Sequence, residues 1–133
     1  MFSLARRRAK KPRDFEDGMR IIIACLEIIW KCQYKNRLHF WCLENPKGYL
    51  RWFLGLPAFT FDPYDFGGDY TKKTDLWGNF KLPIKYPIIP TRKKFDITLS
   101  KDIAPEFYGK LTRQERRAIT PSGFAQAFFD CNR

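Results

Sequence analysis

The sequence predicts an α/β fold, and two observations carry that prediction. A helical pattern from about Phe15 to Cys32 is apolar on most sides, as in a helix packed on a sheet. After a polar turn at 34–37, the continuous apolar run Leu38 to Leu43 ends at Glu44-Asn45-Pro46. Such a run reads as a buried parallel strand with polar groups at its carboxyl end. Helix followed by buried strand is half of a βαβ unit, and open α/β sheets bind ligands at the carboxyl ends of strands. Glu44 and Asn45 therefore stand where a site is expected.

The remaining elements are set by local chemistry. Asp14 is placed to cap the first helix, with Glu16 and Asp17 in its first turn. Pro46 can open a short helix over about Lys47–Leu54, stopped by Gly55-Leu56-Pro57. Ala58 to Phe61 suits a strand, followed by turn residues Asp62, Pro63 and Asp65 and a loop at Gly67-Gly68-Asp69. Leu76 to Phe80 suits a further strand. The prolines at 83, 87 and 90 predict an irregular stretch over Pro83–Ser100. Leu111 to Arg117 reads as helical. A last helix is expected with Pro121 at its first position and Phe124, Ala125, Ala127 and Phe128 on its apolar face. The whole is expected to be a single domain over 1–133: a basic arm at 1–13, a helix–strand core at 14–82, and an irregular segment with a closing helix at 83–133.

Composition bounds the partners. The 133 residues carry 25 Lys+Arg against 14 Asp+Glu, a net charge of +11, with 44% apolar and 17% aromatic content. That excludes a disordered tail and favours a polyanion, because each neutralised phosphate releases condensed counterions. The arginines Arg6, Arg7 and Arg8 concentrate this charge in the arm. Taken alone the arm is either a phosphate-contacting segment or a frayed charged terminus. No membrane span is expected, since the most apolar stretch, Ile21 to Trp30, is short and interrupted by Glu27. No secretory leader is visible, and an intracellular, cytoplasmic location is expected. Cys25, Cys32, Cys42 and Cys131 lack the spacing of a zinc site, so no metal is expected and they read as small buried hydrophobes. His39, the single histidine, reads as a core residue.

Glu44-Asn45-Pro46-Lys47-Gly48 resembles the Glu-Asn-Val/Pro motif of DNA cytosine-5 methyltransferases. Phe2-Ser3-Leu4-Ala5-Arg6 resembles the segment just after the catalytic Pro-Pro-Cys loop in a phage-type branch of that family. Asp65-Phe66-Gly67 and the segment from Tyr70 to Asn79, including Lys72-Lys73-Thr74-Asp75-Leu76-Trp77, look like that branch's Tyr-Gly…Lys-x-Thr-x-Leu-Trp-x-Asn stretch. Arg117 to Phe129 resembles its Arg-Ser-x-Thr-Pro-x-Gly-Phe-Ala-x-Ala-Phe motif. The four segments occur in the family's order. The resemblance implies a partial Rossmann-like class I methyltransferase fold, truncated at the N-terminus.

The same resemblance implies a function. The family's glutamate, matched by Glu44, engages ring N3 and the exocyclic amine of an extruded cytosine, which eases nucleophilic addition at C6. A buried carboxyl is expected for that role, with Asn45 holding the loop; the local alternative is that Glu44 caps the helix at Pro46. Arg6, Arg7, Arg8, Lys72, Lys73 and Thr74 are implied DNA contacts, with Trp77 and Asn79 as further contacts or pocket supports, although a tryptophan such as Trp77 is more often simply core. S-adenosylmethionine is implied as cofactor, yet neither Phe-x-Gly-x-Gly nor Pro-Pro-Cys occurs in the sequence. The expected partners are therefore double-stranded DNA and a separate N-terminal methyltransferase polypeptide, in a prokaryotic or phage-infected cell. The alternative is a non-enzymatic, basic DNA-binding remnant.

Overall fold

A computed structural model describes residues 2, 12–91, 109–112, 115 and 118–133. It combines helices with a small three-stranded antiparallel sheet, so the fold mixes α and β. The chain divides into two compact units, Met1–Thr60 with Thr74–Phe80 and Phe61–Lys73 with Lys81–Arg133.

In the first unit, α1 spans Phe15–Tyr34. Asp14 caps it as expected, its carboxylate accepting the Asp17 N–H at 2.8 Å. The chain leaves α1 through Asn36 at φ 50, a left-handed conformation that asparagine tolerates. β1 spans Trp41–Pro46, a four-residue helix α2 spans Arg51–Leu54, β2 spans Phe59–Phe61, and β3 spans Thr74–Asn79. The sheet order is β1-β3-β2. Sequence neighbours β1 and β2 are thus separated by β3, with α2 on the connection between them.

Several expectations need correction here. The strand begins three residues later than the apolar run, leaving His39 and Phe40 exposed, so His39 is not a core residue. Nor is the observed pairing of this strand parallel: β1 runs antiparallel to β3, in a register pairing Glu44 with Leu76 and Asn45 with Asp75. The apolar run misled because burial on one face and a ladder on one edge suffice for Trp41 and Leu43. Pro46 closes β1 instead of opening a helix, which shortens α2 to one turn. Gly78 is required where the two strands meet. It has φ +152, and a Cβ there would lie 2.1 Å from the Trp41 carbonyl oxygen.

The core of this unit is Phe2, Leu50 and Trp77, with Phe15, Met19, Ile22, Tyr49 and Leu54 packed against it. Phe2 is anchored by its carbonyl, which accepts the Tyr49 N–H at 2.8 Å. Much of the rest of α1 stays open, with Ile21 and Ile28 exposed along one flank and Ile23 and Trp30 along the other.

The second unit is built around a 3₁₀ turn at Pro63–Phe66 and the helix α3 at Ser122–Asn132. Asp62 and Asp65 form a reciprocal capping box on the turn, and Gly67 closes it at φ 79. Phe124 of α3 is buried and stacks on Phe61, with ring centroids 3.8 Å apart, while Phe66 meets it edge-on. Pro121 caps α3 one position before the helix starts. The stretch 81–91 has no regular structure, in line with its prolines. It is held by backbone bonds from the Tyr86 and Ile88 N–H groups to the carbonyls of Asp65 and Tyr64. The segment 92–108 and most of the expected helix at Leu111–Arg117 lie outside the described residues.

Candidate functional site

Strand alternation sets the geometry of the candidate site. Trp41, Leu43 and Asn45 are half-buried on one face of β1, whereas Cys42 and Glu44 are exposed on the other. The expectation of a buried Glu44 carboxyl is therefore corrected: this side chain is presented to solvent. Nor does it cap a helix, because α2 starts at Arg51 and has no side-chain cap. Asn45 fits its expected part, with its amide donating to the Pro46 carbonyl at 2.6 Å and so fixing the end of the strand.

Cys42, beside Glu44 on this face, is not one of the buried hydrophobes expected. The residue is exposed, yet the protein atoms around its thiol, and then the Glu44 charge, push its pKa up. A thiol held neutral in this way is a poor nucleophile. The other cysteines are half-buried and free.

Behind the opposite face lies a polar centre that sequence reasoning missed. Asp75 is fully buried, and both its oxygens accept from Arg51, at 2.6 Å to Nε and 2.5 Å to the terminal nitrogen. The Thr60 hydroxyl donates to Asp75 Oδ1 at 2.8 Å. The hydrogen bond to Asp75 pushes the Arg51 pKa further up, so the guanidinium stays charged. One signal was present: an aspartate between Thr74 and Leu76-Trp77, in a strand too apolar to be solvated, demands a buried cation.

The expected DNA contacts fare differently. Thr74 is fully buried, so it supports the fold and is not available at the surface. Trp77 is core, its indole N–H donating to the Gly55 carbonyl at 3.0 Å. In the second unit, Lys72 reaches the Ile119 carbonyl at 3.1 Å, while Lys73 is half-exposed and 3.8 Å from Asp62. Asp62 and Asp65 are buried acids with structural partners. Asp62 accepts the Lys72 backbone N–H at 2.9 Å and Asp65 accepts Lys85 Nζ at 2.8 Å. Burial pushes Asp62 up, with Lys73 and the Lys72 N–H pulling it back. Arg6, Arg7 and Arg8 lie outside the described residues.

The described residues do not fit S-adenosylmethionine. The resembled family's seat for it is a Phe-x-Gly-x-Gly loop between a strand and a helix, whereas the loop between β1 and α2 carries the one glycine Gly48 and no such motif. Among the described residues no group of three or more His, Cys, Asp or Glu could hold a metal ion, and no helix is long and apolar enough to cross a membrane. Comparison of the chain with protein-family models, curated proteins and solved structures gave no match.

Proposed function

We propose that this chain is the C-terminal, DNA-facing part of a DNA cytosine-5 methyltransferase of Rossmann-like class I architecture. Glu44 and Asn45 serve the target cytosine, and the cofactor site and nucleophilic cysteine come from another polypeptide. The observation that carries the reading is the Glu44-Asn45-Pro46 strand end, with the carboxylate directed to solvent and the asparagine tying down the backbone behind it. The order of the four resembling segments and the net charge of +11 support it.

In this reading an extruded cytosine reaches Glu44 from the solvent side, where its carboxyl hydrogen-bonds the ring N3 edge and offsets charge developing in the ring. Phosphate contact falls to the arm at Arg6, Arg7 and Arg8 and to Lys73.

The test is reconstitution. The chain is mixed with a polypeptide carrying Phe-x-Gly-x-Gly and Pro-Pro-Cys, and transfer of labelled methyl groups to duplex DNA is monitored. Transfer by the mixture and by neither component alone is the expected result. Salt-sensitive DNA binding without transfer, whichever such polypeptide is supplied, would instead establish the second reading, a basic DNA-binding remnant, which the same charge supports.

A further inference from the structure

We infer that the outward face of α1 pairs antiparallel with α1 of a second copy of this chain. The face is a single seam: Asp17, Ile21, Ala24, Ile28 and Lys31 succeed one another at spacings of four, three, four and three, and all five are exposed. This is the 3.5-residue repeat that seats one helix against another. Ile21 and Ile28 are 61% and 62% exposed, while the helix's other side already packs on the core through Phe15, Met19 and Ile22. A helix with apolar residues on both sides needs a second cover.

Reversed, the seam keeps its order of residues apart from charge, which inverts, while its spacings become three, four, three and four. A two-fold axis through Ala24 brings Ile21 of each copy to within one residue of Ile28 of the other, with the small Ala24 side chains at the crossing. It sets Asp17 against Lys31 at both ends. Along one flank, Arg20 and Glu27 are seven residues apart and both exposed, so the same axis brings Arg20 of each copy near Glu27 of the other. Arg20 already bonds Glu16 at 2.8 Å, but that pair is solvent-exposed and is easily exchanged. Self-complementarity of this kind is what a two-fold interface requires. The net charge of +11 opposes association, yet the seam itself balances two acids with two bases, and distant charges are screened over about 8 Å at physiological salt. The pairing does not depend on the methyltransferase reading.

Sedimentation of the full chain over a range of concentrations, with light scattering, tests it. A monomer–dimer equilibrium is expected. Ile21→Lys with Ile28→Lys should abolish the dimer, and both positions are exposed enough to spare the monomer's fold. Asp17→Lys should weaken association by roughly tenfold, because the axis creates two like-charge contacts, and adding Lys31→Asp should restore it. A chain that stays monomeric, a dimer that survives the double lysine variant, or a charge reversal that Lys31→Asp does not rescue would each overturn the inference.

Discussion

Glu44 and Asp75 sit one rung apart on the same β1–β3 ladder, on opposite faces of the sheet. Asp75 is fully buried, gripped by Arg51 and Thr60, and its charge is satisfied within the protein. Glu44 is exposed, and it caps no helix. Two carboxylates of similar chemistry are separated by nothing more than the period of a strand, and that period decides which holds the fold and which is exposed to solvent. The difference is one of side chains and not of whole faces: Leu76, opposite Glu44 on the same face, is fully buried, whereas Glu44 itself is exposed and can be altered at little cost to the fold.

That contrast is sharpest when the two faces are mutated in turn. Arg51→Ala leaves the buried Asp75 carboxyl without its main partner, and chemical denaturation should show a loss of about 3–5 kcal/mol. A loss below about 1 kcal/mol would mean that water replaces Arg51 and that the centre is not sealed. Gly78→Ala attacks the ladder itself. Its Cβ collides with the Trp41 carbonyl and its φ of +152 is strained for alanine, so about 2 kcal/mol or more should be lost in the same measurement.

The second unit supplies the smallest expected effect. Asp62 is an acid whose folded pKa is raised, chiefly by burial. The folded chain therefore holds that proton more tightly than the unfolded chain does. The stabilisation is full below the unfolded carboxylate value and is lost as pH rises through the folded value. Asp62→Asn keeps the oxygen that accepts the Lys72 N–H and removes the ionisation. Unfolding profiles should show the variant gaining on the parent as pH rises from the acid side to neutrality. An opposite slope would mean that Lys73 outweighs burial.

Much of this arrangement was legible in the residues. The Asp14 cap, the long apolar helix, the brief strand before Asp62 and the Phe124 packing of the last helix all come from local pattern. What was not legible depended on pairing. Nothing local to Leu38–Leu43 says that its strand slides to Trp41–Pro46 to meet Thr74–Asn79, and that slide decides which way Glu44 points. Thr74 was expected as a surface DNA contact because its burial comes from β3's central place in the sheet, and the Asp75 centre was hidden because its main partner, Arg51, lies 24 residues upstream. The exposed outer face of α1 was equally hidden, since an apolar pattern alone does not say how many of its sides are covered.

The measurement that bears most directly on the central claim compares Glu44→Gln with the parent chain in the reconstituted methyl-transfer assay, alongside its unfolding free energy. The account predicts stability within about 0.5 kcal/mol of the parent, because the side chain is exposed. Methyl transfer should fall by at least about 100-fold, because the amide cannot supply the acid's proton. Methyl transfer that survives Glu44→Gln undiminished would contradict the role assigned to this strand end.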